Sequence, residues 1–497
     1  MFSFLFIVLF FFIYFLIDWS IKEIHFIEKI ALTTSFTFAF LTFFLYYAFL
    51  SKLKFDQASF FLSCFLISCI TGIILKKIKS TASYKKIIQP NNLLIVITLL
   101  SPLVLASFVF SVYYPTLLPD GIVYENMATI LDYTKDLTNP NVNISQPPMV
   151  PLIFLIMMLL GVGYGKIVFP LYYLLFLIIF YFRILSTCKS KVGSILSTLV
   201  LGTSPLIWWH SFLFGINLIS GFYYSLGVLL WFEALKQQQK GDGYALLGGF
   251  FLAFSSWCRY EFILYSIVPI LLTVIYNGGK KHSKMFLALC LPIIIVNIWF
   301  PVTLIRFPNY FIEAKKEFSL LFIVVIFLTF LYFIDVSKII TRLKERINWF
   351  VPGIIISAFL ATSFFAGSIT GGITNSLTSV MRMIMSFLYY PATSLLLILI
   401  LGFKSIQLTR FQKYMAFTIV SYLSFHLFLY STFTKFSVNP VLEYLKVFIF
   451  FPGNFINSPG VREMIAFYPI FLCFVVSFQD KLLEKNRILK EGYQKNR

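Results

Sequence analysis

Apolar runs of roughly 17–23 residues recur from one end of this chain to the other, each long enough to cross a bilayer core of about 30 Å. Hydrocarbon offers no water to a backbone N–H or C=O. Such a chain must therefore satisfy its hydrogen bonds inside helices or inside a closed barrel. Barrel strands would read as shorter segments of alternating polarity, and these runs are continuous. The expected class is an all-α polytopic membrane protein. Composition agrees: 59% of the 497 residues are hydrophobic and only 12% charged, far less charge than a soluble fold exposes.

The runs fall at 2–17, 30–50, 58–75, 92–114, a compound region 149–183, 192–209, 213–235, 243–257, 260–276, 285–306, 318–334, 349–367, 383–402, 414–431 and 464–478. They predict a bundle of about 13–15 spans. The first run has no basic flank and no small-residue cleavage site, so it is expected to stay as a helix. Within 149–183, Gly161, Gly163 and Gly165 allow a break or a re-entrant piece, so that the region makes one net crossing.

The formal net charge of +20 is read as positive-inside bias, not as a nucleic-acid footprint. Lys76, Lys77, Lys79, Lys85 and Lys86 make 76–90 the most basic short connection. Placed in the cytoplasm, it puts the polar loop 115–148 outside. Lys236 and Lys240, Lys280 to Lys284, Lys338 to Arg346, Lys404 to Lys413 and the basic tail 479–497 then all fall inside, as does 183–191. The uncharged connection 367–380 falls outside. The expected setting is the cytoplasmic membrane, crossed many times, with the active face outward. The six cysteines include no CxxC and read as packing residues.

The outer face collects the unusual residues. Asp120 follows Pro119 and precedes Gly121 on a tight turn. It reads either as a solvated turn residue or as a general base or metal ligand held at the surface. The stretch Ile122 to Tyr133 has the pattern of a short interfacial helix and carries Glu125, on a solvated face or one turn from Asp120. Gln146-Pro147-Pro148 starts a helix, since proline is tolerated in the first turn. Gln146 then sits near a terminus that attracts anions. His210 follows the belt pair Trp208-Trp209. Arg259 needs an anion, either its neighbour Glu261 or a lipid phosphate. Arg462 poses the same choice with Glu463. A P-loop, a Gly-rich nucleotide fingerprint and His/Cys zinc spacing are all absent from the sequence.

These residues resemble the C-type glycosyltransferase superfamily (GT-C), closest to the branch of protein O-mannosyltransferases and lipid A aminoarabinose transferases. The likeness lies in Asp120 in the first outer loop, Ala128 on the interfacial helix and Pro147-Pro148. It continues in Thr203-Ser204-Pro205, Asn217-Leu218, Gly248-Gly249 running to Arg259-Tyr260-Glu261, and Arg462 with Pro469. It spans roughly 92–276 and, more weakly, 460–478. On it the chain divides into an N-terminal extension 1–91, a catalytic module 92–276, C-terminal helices 277–478 with an outer loop 432–463, and the tail.

The resemblance implies a transferase that takes a sugar from a polyprenyl-phosphate carrier, with Asp120 as base and inversion at the anomeric carbon. Glu125, Gln146, His210, Asn217, Arg259, Glu261 and Arg462 would line the substrate. The partners would be the lipid-linked donor, membrane lipids and an acceptor that is a glycan, a lipid or a protein. Gly121 stands where relatives carry a second acid, and Asn217 where they carry Asp. The oxygen set for a magnesium or manganese ion is therefore short, and metal-independent chemistry is the expectation. A flippase for lipid-linked saccharides is the alternative from another class; it would place charge along a mid-membrane path. A non-catalytic scaffold is a third reading.

The topology has a direct check. In intact cells Ser376→Cys should react with a membrane-impermeant maleimide, and Ser83→Cys only after permeabilisation. The reverse pattern would invert the assignment.

Overall fold

The structure, a computed structural model, describes residues 2–21, 24–52, 59, 62–70, 91–113, 119–137, 139, 142, 147–163, 165–213, 215–237, 241–277, 283–306, 315–338, 409–432 and 462–477. The expected spans 349–367 and 383–402, Gln146 and nearly all of 432–463 lie outside these residues. Among the described residues the fold is all-α, without strands, and six helices are long and apolar enough to cross a membrane.

The helices are α1 (Phe2–Ser20), α2 (Phe26–Leu50), α3 (Asn91–Tyr113), α4 (Pro119–Thr134), α5 (Met149–Leu159), α6 (Val168–Cys188), α7 (Lys191–Gly202) and α8 (Pro205–His210). There follow α9 (Ile216–Gln237), α10 (Asp242–Cys258), α11 (Phe262–Tyr276), α12 (Lys284–Asn297), α13 (Trp299–Arg306), α14 (Lys315–Phe330) and α15 (Arg410–Thr432). A 3-10 turn, Arg462–Ala466, runs into the apolar helix α16 (Met464–Ser477).

The centre is α9, whose most apolar stretch is wholly buried. It packs chiefly on α10, and α10 on α12. Glycine makes these crossings close. A Cβ on Gly227 would lie 2.9 Å from the Leu252 nitrogen, and one on Gly249 would lie 2.4 Å from the Leu289 oxygen. In lipid, helices gain little from apolar burial against one another, and close van der Waals packing has to supply the association.

Hydrogen bonds between side chains knit the same helices. Tyr172 and Tyr223 share a 2.7 Å bond, and the Tyr223 hydroxyl donates to the Ser35 carbonyl at 2.7 Å. Trp257 donates to Thr42 at 2.9 Å, and Trp231 to Thr273 at 2.8 Å. Through Ser35 and Thr42, α2 is bonded into the bundle alongside α6, α9 and α10.

Two apolar runs break. The compound region splits as its glycines suggest: α5 ends before Gly161, which takes φ +80°, and Gly165 presses against Phe154. At about 1.5 Å per residue, the 11 residues of α5 are too short to span, whereas the 21 of α6 reach across. The run 192–209 also divides, into the 12-residue α7 and the short α8, because Pro205 opens a new helix at its first turn.

Arg183, expected in a basic connection, is buried within α6. Its Nε lies 2.5 Å from Glu28 Oε1 of α2, each side chain 2% exposed. The guanidinium sits over the Tyr244 ring of α10, with its carbon 5.3 Å from the ring centre. Glu233 of α9 lies beside it, accepting from Thr187 at 3.4 Å and Gln237 at 2.8 Å. Lys236 caps the end of α6, donating to the carbonyls of Ser186 at 2.8 Å and Thr187 at 2.7 Å.

Removing one member of a buried pair strands the other's charge. Arg183→Met should therefore cost about 3–5 kcal/mol and lower the unfolding temperature in detergent. The double change Glu28→Leu/Arg183→Met should recover most of that loss. Equal stability of the single variant and wild type would show that the pair contributes nothing.

Candidate functional site

At the end of the bundle away from Arg183, four stretches of sequence converge. The first is the α10–α11 corner. Helix α10 stops at Cys258 because Arg259 turns extended, with φ −144° and ψ 118°. Arg259 and Glu261 flank Tyr260 in the short turn before α11, which lets the two side chains fold together. Arg259 Nε donates to Glu261 Oε1 at 2.9 Å, and Nη2 donates to the same oxygen. Arg259 thus pairs with its neighbour Glu261.

The second stretch is the start of α9. Asn217, its second residue, is buried, and its Oδ1 accepts from Arg259 Nη1 at 2.5 Å. Glu261 and Asn217 therefore hold different edges of the guanidinium. One turn further along α9, Gly221 admits the third stretch. A Cβ there would lie 2.7 Å from Ile465 Cγ2, so the turn that begins with Arg462 rests directly on α9. The same turn touches α8, whose last residue is His210. His210 is completely buried, not set at an open interface as its place after two tryptophans suggested.

The fourth stretch is the loop between α3 and α5. Met149 opens α5 just after Pro147-Pro148, and the Cys258 Sγ lies 3.1 Å from its sulfur. This contact sets the Pro-Pro helix start beside the Arg259 corner. The interfacial helix α4 packs along α5, burying Tyr124, Met127, Ala128 and Leu131 while Ile122, Val123 and Glu125 face out. Of the expected apolar positions Ile122, Met127, Ile130 and Leu131, Met127 and Leu131 are buried and Ile130 partly so, whereas Ile122 faces out; Ala128 is a further buried contact. Glu125 Oε2 lies 3.8 Å from Lys166 Nζ, and Asp136 Oδ2 lies 3.3 Å from Lys52 Nζ. Asp120 is the second residue of α4 and not on a tight turn ahead of it, because Pro119 opens the helix at its first position; its side chain is outside the described part of the structure, as is Gln146.

Arg259 thus joins Asn217 and Glu261, and Arg462 and His210 belong to the elements packed beside them. Glu125 is tied to Lys166 on the neighbouring loop. Sequence reasoning missed Lys166 and Met149. Lys166 could have been found as the lone cation in the glycine-rich break, while Met149 carried no signal. Among the described residues no cluster of three or more His, Cys, Asp or Glu is placed to hold a metal ion.

No family model, curated protein or solved structure matches this chain.

The Asn217–Arg259 bond has a measurable worth. Bonds to a charged group contribute about 1.5–3 kcal/mol in water-soluble proteins, and interhelical bonds in membranes average about 0.6 kcal/mol. Asn217→Ala should lower detergent stability by about 1 kcal/mol, between these values. Asn217→Asp should raise it by adding a charge pair. A neutral Asn217→Ala would mean that Glu261 alone sets the arginine.

Proposed function

We propose that this protein is an integral-membrane glycosyltransferase that moves a sugar from a polyprenyl-phosphate donor to an acceptor on the outer side of the cytoplasmic membrane. In the reaction, the acceptor hydroxyl oxygen bonds to the anomeric carbon while the bond from that carbon to the phosphate oxygen breaks. Polyprenyl phosphate leaves with the electron pair, the acceptor proton passes to Asp120, and the configuration inverts. The cation Arg462 would favour the donor phosphate at this end, and Arg259, bonded to Glu261, would stand in the substrate wall. Glu125, Gln146, His210, Asn217 and Glu261 would complete the substrate wall. A divalent ion is not required by the residue set, which carries Gly121 and Asn217 where further acids would strengthen a hard-oxygen site.

The observation that carries this reading is the convergence itself. The α4 loop, the α5 start, the α9 start, the Arg259–Glu261 corner and the Arg462 turn are far apart in sequence, yet they meet at one end of the bundle. Ionisable groups gathered at one membrane face suit chemistry on a lipid headgroup.

The second reading, a flippase of lipid-linked saccharides, draws on a different observation. Glu28, Arg183 and Glu233 are buried at the opposite end, and transporters keep charge inside the membrane. Lys236 lies on the turn after Glu233, and the neighbouring pair Lys29–Asp18 adds a further charge of each sign at this end. Charges engaged in this way, Arg183 by Glu28 of α2, Glu233 by Thr187 of α6 and Lys236 by the α6 terminus, read as a lock between helices before they read as a path.

Reconstituted protein should transfer labelled sugar from purified polyprenyl-phosphate sugars. Asp120→Asn should lose roughly 10²–10⁴-fold of the rate, the usual worth of a positioned general base, and EDTA should leave transfer intact. Equal transfer by wild type and variant would remove Asp120 from the chemistry. Translocation of the intact lipid-linked saccharide without transfer would establish the flippase instead.

A further inference from the structure

Glu261 offers one of its two oxygens to protein and keeps the other. Both Arg259 bonds end on Oε1, and they are the hydrogen bonds this carboxylate makes among the described residues. Oε2 takes no part in them. The side chain is held, not loose: the guanidinium fork fixes the carboxylate plane, and Asn217 of another helix fixes the guanidinium at 2.5 Å. The Glu261 side chain is 15% exposed, so it is accessible at the end of the bundle where the Met149 helix start and the Arg462 turn converge. A carboxylate in this state is a preoriented acceptor. It suits a hydroxyl or ammonium donor and repels a phosphate.

From this we infer that Glu261 Oε2 accepts a hydrogen bond from a hydroxyl of the transferred sugar, with Arg259 and Asn217 acting as positioning residues for it. The inference rests on the transferase reading and gives the corner a distinct task. Arg259 serves the sugar through Glu261, and the phosphate is left to other cations. The ligand class is a polyhydroxylated sugar on a lipid phosphate, recognised at the sugar and not at the carrier.

Equilibrium binding separates the two layers of the argument. Detergent-solubilised full-length protein is titrated with polyprenyl phosphate and with polyprenyl-phosphate hexose, pentose and aminosugar. Wild type should bind at least one sugar-bearing lipid roughly 10- to 100-fold tighter than bare polyprenyl phosphate, the worth of a bond to a charged acceptor. Glu261→Gln keeps an oxygen for Arg259 and replaces the Oε2 acceptor by an amide; it should erase most of that preference, and, with the Arg259 charge no longer neutralised, bind bare polyprenyl phosphate at least as tightly as wild type.

Deoxy analogues of the preferred donor, tested on wild type, need no variant to fold. One of them should lose the same factor, and the loss should not add to that of Glu261→Gln. A preference that survives in Glu261→Gln, or that no single deoxy analogue removes, overturns the role of Glu261 while the transferase reading stands. Equal binding of sugar-bearing and bare lipids by wild type overturns both.

Discussion

The crossing of α9 with α10 at Gly227 and Gly248 is the contact on which the rest of the bundle hangs. Gly248 lies against Gly227 O, and its neighbour Gly249 lies against the backbone of α12. Helix α10 is thereby held on two sides with almost no side chain between. Both helices are nearly rigid rods of closed hydrogen bonds, so fixing their crossing fixes their ends. Asn217 at one end of α9 meets Arg259 at the end of α10. Glu233 at the other end of α9 lies with Tyr244 near the start of α10, around Arg183. Larger residues at these glycines would spread the rods and part both sets of partners.

The two polar ends obey different energetics. Around Arg183 the charges are buried on helix flanks, where desolvation consumes most of the Coulomb attraction. What they provide is register: an α2 displaced by one turn would leave Glu28 and Arg183 each without its counter-charge. At the Arg259 end the charged groups lie in turns and at helix termini, where the backbone can bend so that short side chains meet. That corner is built from loop geometry, and a ligand group can approach it from outside the bundle, which is how membrane enzymes expose polar chemistry without an unsatisfied group facing lipid.

Much of this was legible in the sequence, for a reason that is itself physical. Apolar length and the absence of alternation decide the class, and glycines at 161, 163 and 165 announce a break that the structure has. The burial of Met127 and Leu131 on α4 also follows from spacing, though that of Ile122 does not. Pairings between distant helices were not legible. Arg183 looks like one more basic residue at a span end, because Glu28 is its partner only once α2 and α6 are packed. The run 192–209 looks continuous because hydropathy is blind to Pro205, which costs no hydrophobicity but restarts the helix. Asn217 was marked by resemblance alone; nothing near it in sequence tells that Arg259 is its partner.

The Arg259 corner shows why the partner matters more than the residue. From sequence, the guanidinium had two anions to choose between, its neighbour or a lipid phosphate. Given the bonds to Glu261 Oε1, the charges of Arg259 and Glu261 cancel, and Asn217 adds none. An Asp at 217 would have left the corner with net negative charge, which must be offset by a cation or must repel an approaching phosphate. With Asn there, the trio of Asn217, Arg259 and Glu261 carries no net charge and is still directional, because the fork fixes where the carboxylate points. A neutral, directional surface discriminates among hydroxyl patterns better than among charges. The phosphate of a lipid-linked donor would then be drawn by cations elsewhere at this end, such as Arg462, leaving the corner to read the sugar.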